Sequence, residues 1–197
     1  MATDSSTLVP AQPLASARRH RSRLTINMVG LWLFLLSECF LFAALLSSRY
    51  FLQGVSRPET LNQPLGLGLT IVLLGSSLSA YRTEMSSARG DQQRFQRNLL
   101  ATIALGVLFL VGVGVEWREA FAHFPPQTGF GTLFFTMTGI HSFHVLTGLI
   151  ALSIVYGLGR RRPFGPGNYW GVEGTVKYWH FVDVAWVFIY PTLYLVN

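Results

Sequence analysis

Five long apolar runs, separated by shorter polar connections, dominate the hydropathy pattern of this 197-residue chain. The runs lie at about residues 26–50, 65–81, 99–116, 130–158 and 172–196. An α-helix rises about 1.5 Å per residue, so a helical run of this length can cross a hydrocarbon core of about 30 Å. The pattern predicts an all-α polytopic membrane protein, with a bundle of five transmembrane helices in residues 25–197.

Residues 1–24 have a different composition. The first 17 are rich in Ser, Thr, Ala and Pro, and a basic cluster follows at 18–23. We expect a flexible basic N-terminal tail. We expect no cleavable signal peptide, because such a peptide has a short apolar stretch and a small-residue cleavage site, whereas the first apolar run here has full spanning length.

The arginines are distributed unequally between the connections. Eleven precede the first run, lie between the second and third, or lie between the fourth and fifth: Arg18, Arg19, Arg21, Arg23, Arg82, Arg89, Arg94, Arg97, Arg160, Arg161 and Arg162. The other side has three: Arg49, Arg57 and Arg118. Because basic loops stay in the cytoplasm, we predict a cytoplasmic N-terminus and a periplasmic C-terminus in a bacterial inner membrane. Short connections predict that sequential helices are antiparallel neighbours.

Composition supports the membrane class. Half of the residues are hydrophobic, 12% are charged, and the mean hydropathy is +0.39. The net charge of +6 comes mostly from arginines between the apolar runs, where they set topology, so we predict no nucleic-acid partner. Cys39 is the sole cysteine, which excludes an intrachain disulfide framework and a cysteine-based metal site.

A few ionisable residues interrupt the apolar runs at similar depth. We call five of them the midplane layer: Glu38, His141, His144, His180 and Asp183. His141 and His144 are three residues apart and share a helix face, as do His180 and Asp183. Glu116 and Glu173 lie nearer the two surfaces. Polar groups in hydrocarbon are costly without partners, so the layer predicts contacts between helices.

Several roles are open for this layer. We favour interhelical hydrogen bonds, with Glu38 neutral and donating to His141, His144 or His180. A proton relay through Glu38 is an alternative. Haem ligation is another, and it would need His141 with His180, because two ligands three residues apart on one helix cannot serve opposite sides of one iron. We predict no metal site, since the chain lacks a cysteine cluster and a dense carboxylate set.

Basic residues at the inner ends of the fourth and fifth runs suggest a lipid-binding role. The candidates are Arg160, Arg161, Arg162 and Lys177. Guanidinium groups can hold phosphate oxygens in a bidentate manner at the membrane boundary, and the same residues also enforce topology.

Three motifs resemble subunit III of the haem–copper cytochrome oxidases. They are SECFLF at residues 37–42, GIHSFHV at 139–145 and YWHFVDVAWVFIY at 178–190, with weaker matches in EW at 116–117 and GVE at 171–173. The match runs from Leu31 to Leu195, in the right order and on the right runs. The chain is similar to the five-helix bacterial form of the family, which lacks the first two helices of seven-helix members.

The resemblance implies a non-catalytic subunit without redox centres, in an enzyme complex that reduces oxygen and translocates protons. It implies catalytic subunit I as a partner holding haem and copper, other oxidase subunits, bound phospholipids and a respiratory supercomplex. Family members sustain proton uptake and protect the catalytic subunit from inactivation during turnover. Glu38 matches the family's carbodiimide-reactive carboxylate.

Other identities are also compatible with the sequence. Quinol oxidase subunit III and the homologues associated with nitric oxide reductase share much of the pattern, although Glu173 with the KYWH segment at 177–180 is closer to the cytochrome c branch. A haem b membrane anchor is favoured by the midplane histidines. A small transporter is favoured by Glu38 and Asp183, but the chain lacks the paired inverted halves of many transporters.

Overall fold

The computed structural model describes residues 12–51, 58 and 61–196, with side chains from residue 24 onward. Five α-helices and a closing π-helical turn make up the fold: α1 Gln12–Phe51, α2 Gln63–Ala88, α3 Gln92–His123, α4 Gly129–Arg161, α5 Trp170–Tyr190 and the turn Pro191–Leu195. No β-strand occurs among these residues, which confirms the all-α prediction.

Four helices are long and apolar enough to cross a membrane: α1 over Leu24–Phe51, α2, α3 and α4. The fifth predicted run falls on α5 and the π-helical turn. It carries Glu173, Lys177 and Asp183 within 11 residues, so its composition alone does not mark it as a span. Helix α1 begins at Gln12, inside the predicted tail, while residues 1–11 lie outside the described residues.

Local polar chemistry determines where three of the helices begin. The side-chain oxygens of Asn62, Asp91 and Thr128 each accept a hydrogen bond from the backbone N–H three residues later, at 3.1, 3.0 and 3.0 Å. Such caps satisfy backbone donors that the first helical turn leaves free. Between α2 and α3, Gly90 has a φ of 74°, a conformation that side chains disfavour, and the chain reverses there within a short turn.

Helices α2 to α5 form a closed ring, in which α2 contacts α3 and α5, and α4 contacts the same two helices from the opposite side. Helix α1 lies outside this ring on α5 and α4. Among the described residues, the prediction that sequential helices are neighbours is therefore correct for α2 to α5 and wrong for α1 and α2, which make no extensive contact. The reason is that Glu38 and Phe42 of α1 find their partners on α4 and α5.

Trp179 of α5 fills the centre of the ring. Its side chain is fully buried, and its indole Nε1 donates to Ser76 Oγ on α2 at 3.0 Å. Gly106 on α3 and Gly148 on α4 face the indole so closely that a Cβ there would lie 2.7 and 2.8 Å from ring atoms. Small residues thus let α3 and α4 approach α5, as is common between membrane helices.

Candidate functional site

Glu38 on α1 and His144 on α4 form a side-chain contact between these two helices. Glu38 Oε2 lies 3.0 Å from His144 Nε2, and the other ring nitrogen, Nδ1, lies 2.8 Å from the carbonyl oxygen of Ile140. The carbonyl can only accept, so Nδ1 carries a hydrogen. Nε2 of a neutral ring then accepts from protonated Glu38, whereas an imidazolium would donate to the carboxylate. In both arrangements the contact between Glu38 and His144 contains one proton.

This pair lies at the partly open edge of the bundle. The side chains of His144 and Glu38 are 10% and 20% exposed. Phe42 covers the imidazole, with ring centroids 5.1 Å apart, and also packs on Phe181 of α5 at 5.9 Å. The pair is therefore shielded by aromatic rings without being sealed inside the protein.

His141 has a very different environment. Its ring is fully buried and contacts the rings of Trp186, Phe109 and Phe42, with centroids 4.9, 5.6 and 6.4 Å away. Among the described residues, neither ring nitrogen has a hydrogen-bonding partner. A haem ligand must present a nitrogen to a space large enough for a porphyrin, and these aromatic rings enclose His141. The packing is thus a poor fit for the haem-anchor alternative.

His180 and Asp183 face α2. His180 Nδ1 lies 2.7 Å from Ser77 Oγ and 3.9 Å from Asp183 Oδ2. Asp183 is 3% exposed. The Ser77 hydroxyl also interacts with its carboxylate, but within the described part of the chain neither carboxylate oxygen has a hydrogen bond of normal geometry. These three residues form a polar group between α5 and α2, separate from the contact of α1 with α4.

The midplane layer is thus not a single hydrogen-bonded network in the structure. Trp186 packs its ring against His141, while its Nε1 donates to Thr70 Oγ1 on α2 at 3.0 Å. Glu38 with His144, and His180 with Ser77 and Asp183, are two separate polar groups.

Glu116 lies elsewhere, near the outer end of α3 in the predicted topology. The Tyr194 hydroxyl donates to its Oε1 at 2.6 Å, and Oε2 has no hydrogen-bonding partner among residues 61–196. Glu116, Asn62 and Glu119 line a small cavity of about 30 Å³, which is enough for a water molecule. The contact ties α3 to the π-helical turn after α5.

Glu173 and Lys177 form an ion pair one helical turn apart on α5. The Lys177 ammonium also lies 5.8 Å from the centroid of the Trp170 ring and interacts electrostatically with Glu84 of α2. The lysine proposed for lipid binding is therefore already engaged by protein groups.

The three arginines at the end of α4 do not all line the same cavity. Arg161 and Arg162 line a cavity of about 360 Å³ together with Leu158, Phe164 and Asn168. Arg160 is exposed and is not one of the lining residues. A phosphate in this cavity would thus meet two guanidinium groups and an aromatic wall.

Several polar contacts involve residues outside the predicted midplane layer and the lipid-binding candidates. Ser77 contacts His180, Tyr194 contacts Glu116, and the Tyr178 hydroxyl lies 2.8 Å from Thr147 Oγ1. The serine pair at 76–77 inside an apolar run was a signal that a polar partner lies opposite. No local pattern indicates which helix supplies that partner.

Comparison with known proteins shows the family to which this chain belongs. The family model for cytochrome c oxidase subunit III matches residues 19–197. The chain belongs to the cytochrome c oxidase subunit III family. It is 33% identical over 187 residues to cytochrome c oxidase subunit 3 of Corynebacterium diphtheriae, covering 89% of this chain and 91% of the relative.

Two further relatives show the range of this family. A probable cytochrome c oxidase subunit 3 of Mycobacterium leprae is 30% identical over 183 residues, with 89% of this chain and 91% of the relative covered. Cytochrome c oxidase subunit 3 of Dasypus novemcinctus is 34% identical over 178 residues, covering 84% of this chain and 67% of the relative. The resemblance found in the motifs is confirmed, and the chain is subunit III of a haem–copper oxidase that assembles with other oxidase subunits.

Proposed function

We propose that this subunit III is non-catalytic and supports subunit I, which holds the haem and copper of a cytochrome c oxidase. The observation that carries this proposal is the engagement of the interior histidines. His144 pairs with Glu38, His180 pairs with Ser77, and His141 is enclosed by aromatic rings. Side chains engaged in this way hold helices together and leave oxygen chemistry to the partner subunit.

Helix α1 provides the surface for association in this proposal. Only 11% of the most apolar stretch of α1 is buried against the rest of the chain, whereas the value for the corresponding stretch of α4 is 39%. Its exposed side chains include Trp32, Leu33 and Phe40. An apolar helix face of this kind needs lipid or another protein to cover it, and we propose subunit I and bound phospholipids.

We propose five membrane spans in a bacterial inner membrane, with the N-terminus cytoplasmic and the C-terminus periplasmic. The packing of α5 between α2 and α4 supports a fifth span, because both neighbours are apolar enough to cross a membrane. A C-terminal alkaline phosphatase fusion should be active. An inactive fusion, with a cytoplasm-only reporter active at the same position, would show that the topology is wrong.

Bound phospholipid is part of the proposed function. The cavity beside Arg161 and Arg162 offers two guanidinium groups to a phosphate. Replacing Arg160, Arg161 and Arg162 with Gln should reduce the phospholipid that co-purifies with the complex. Unchanged lipid content would leave these arginines as topology signals only.

The supportive role can be tested on the complex. Purification through this chain in mild detergent, followed by mass spectrometry, should recover subunit I and other oxidase subunits. Removing the chain should leave initial oxygen reduction largely intact and accelerate the loss of activity over repeated turnovers. A Soret band in the isolated chain, or immediate loss of oxygen reduction without it, would contradict a non-catalytic role.

A further inference from the structure

The structure contains a second basic cavity, at the end of the bundle where α2 turns into α3. We call it the α2–α3 hollow. It has a volume of about 410 Å³, within the range of about 300–1,000 Å³ that is usual for small-ligand sites. Four arginines line it, two on each side of the turn: Arg82, Arg89, Arg94 and Arg97.

The turn fixes these arginines opposite one another. Arg89 caps α2, and its N–H donates to the Met85 carbonyl at 3.3 Å. Gly90 reverses the chain with its positive φ, and Asp91 caps α3 directly afterwards. Because both helices are anchored at this short turn, the arginines of α2 and α3 face a common space.

The charge of the hollow is largely uncompensated. Arg94 Nε lies 3.1 Å from Asp91 Oδ2, and among the described residues this is the one ion pair that any of the four arginines makes. Four guanidinium groups and one carboxylate leave three net positive charges around the cavity. Guanidinium groups match the geometry of phosphate oxygens, so a phosphate would both relieve the repulsion and accept several charge-assisted hydrogen bonds.

Its position along the helices indicates which phosphate is available. The apolar part of α2 ends at Tyr81, and that of α3 begins at Leu99. Arg82 and Arg89 therefore lie about 2 and 12 Å along the helix beyond the apolar part of α2, a stretch that includes the headgroup layer of about 5–8 Å. Tyr81, which also lines the hollow, is 52% exposed, as aromatic residues at a membrane interface often are.

We propose that the α2–α3 hollow binds the phosphate group of an anionic phospholipid through Arg82, Arg89, Arg94 and Arg97. This site is separate from the cavity at Arg161 and Arg162, and it does not depend on the supportive role proposed above.

The test uses the purified oxidase complex in detergent micelles. Native mass spectrometry would count retained phosphatidylglycerol while its concentration is varied, with phosphatidylcholine and inorganic phosphate as separate additions. The variant R89Q/R97Q removes two of the four guanidinium groups. The variant R89K/R97K keeps the charge that orients the chain in the membrane but loses bidentate binding, and R118Q removes an exposed arginine that lies outside both proposed lipid sites.

We expect R89Q/R97Q to bind phosphatidylglycerol roughly tenfold or more weakly than the unaltered complex, and R89K/R97K to show an intermediate loss. R118Q should match the unaltered complex. Equal binding in R89Q/R97Q, or an equal loss in R118Q, would overturn the site. Saturable binding of inorganic phosphate at the same arginines, without preference for phosphatidylglycerol, would overturn the lipid as its ligand.

Discussion

The contact between Glu38 and His144 predicts a specific difference between two substitutions of the same residue. Glu38→Ala removes the group that faces His144 Nε2, while Glu38→Gln supplies an amide N–H that can donate to the same nitrogen. If the pair consists of a protonated acid and a neutral imidazole, the glutamine variant preserves the hydrogen bond. The alanine variant leaves the imidazole nitrogen without its partner from α1.

The magnitude follows from the burial of the pair. A hydrogen bond contributes about 1 kcal/mol net, and an unsatisfied polar group in a site that is 10% exposed raises the loss to about 1–3 kcal/mol for Glu38→Ala. This corresponds to roughly a 5- to 150-fold change in the unfolding equilibrium. Glu38→Gln should cost less than about 1 kcal/mol, because size and hydrogen bonding are retained.

The assay is a double-mutant cycle on unfolding in mild detergent, with Glu38→Ala, His144→Ala and the double variant. We expect a coupling energy of about 0.5–2 kcal/mol, as for other hydrogen bonds between membrane helices. Infrared spectra of the unaltered protein and of Glu38→Gln should differ by the carbonyl band of one protonated carboxylic acid.

Two outcomes would refute this reasoning. An equal loss of stability in Glu38→Gln and Glu38→Ala would show that the glutamine amide cannot replace the acid. A coupling energy near zero would show that the contact does not anchor α1. A carboxylate band for Glu38 at neutral pH would instead assign the proton to His144, as in an ion pair.

Two further predictions concern packing and a buried hydrogen bond. Gly148→Ala should lower the free energy of unfolding by about 1–3 kcal/mol, because the new Cβ would lie 2.8 Å from a buried indole. The control Gly157→Ala, in the same helix but facing open space, should have no such effect. Equal melting temperatures of the two variants would contradict this prediction. Tyr194→Phe removes the hydroxyl that donates to Glu116 and should lower the free energy of unfolding, measured by thermal unfolding, by about 1–3 kcal/mol. The control Tyr190→Phe should lower it less. Equal losses in the two variants would assign the effect to ring packing.

The sequence by itself determined that this is a helical membrane protein, which family it resembles, and which polar residues lie inside its apolar runs. Apolar runs of spanning length can only be helices in a membrane, because lipid offers no partner to backbone polar groups. The family was also readable, because motifs around Glu38, His141 and His180 keep their order and spacing. The need of Glu38 for a partner on another helix followed from the cost of an isolated carboxylate in hydrocarbon.

The tertiary structure decided which partner each polar residue has. Sequence gives the depth of a residue along its helix, but not the rotation of that helix against its neighbours. His141 and His144 share a face three residues apart, yet one is enclosed by aromatic rings and the other pairs with Glu38. Ser77 became the partner of His180 only because α2 and α5 are adjacent in the ring, a contact between distant parts of the chain that no local pattern specifies.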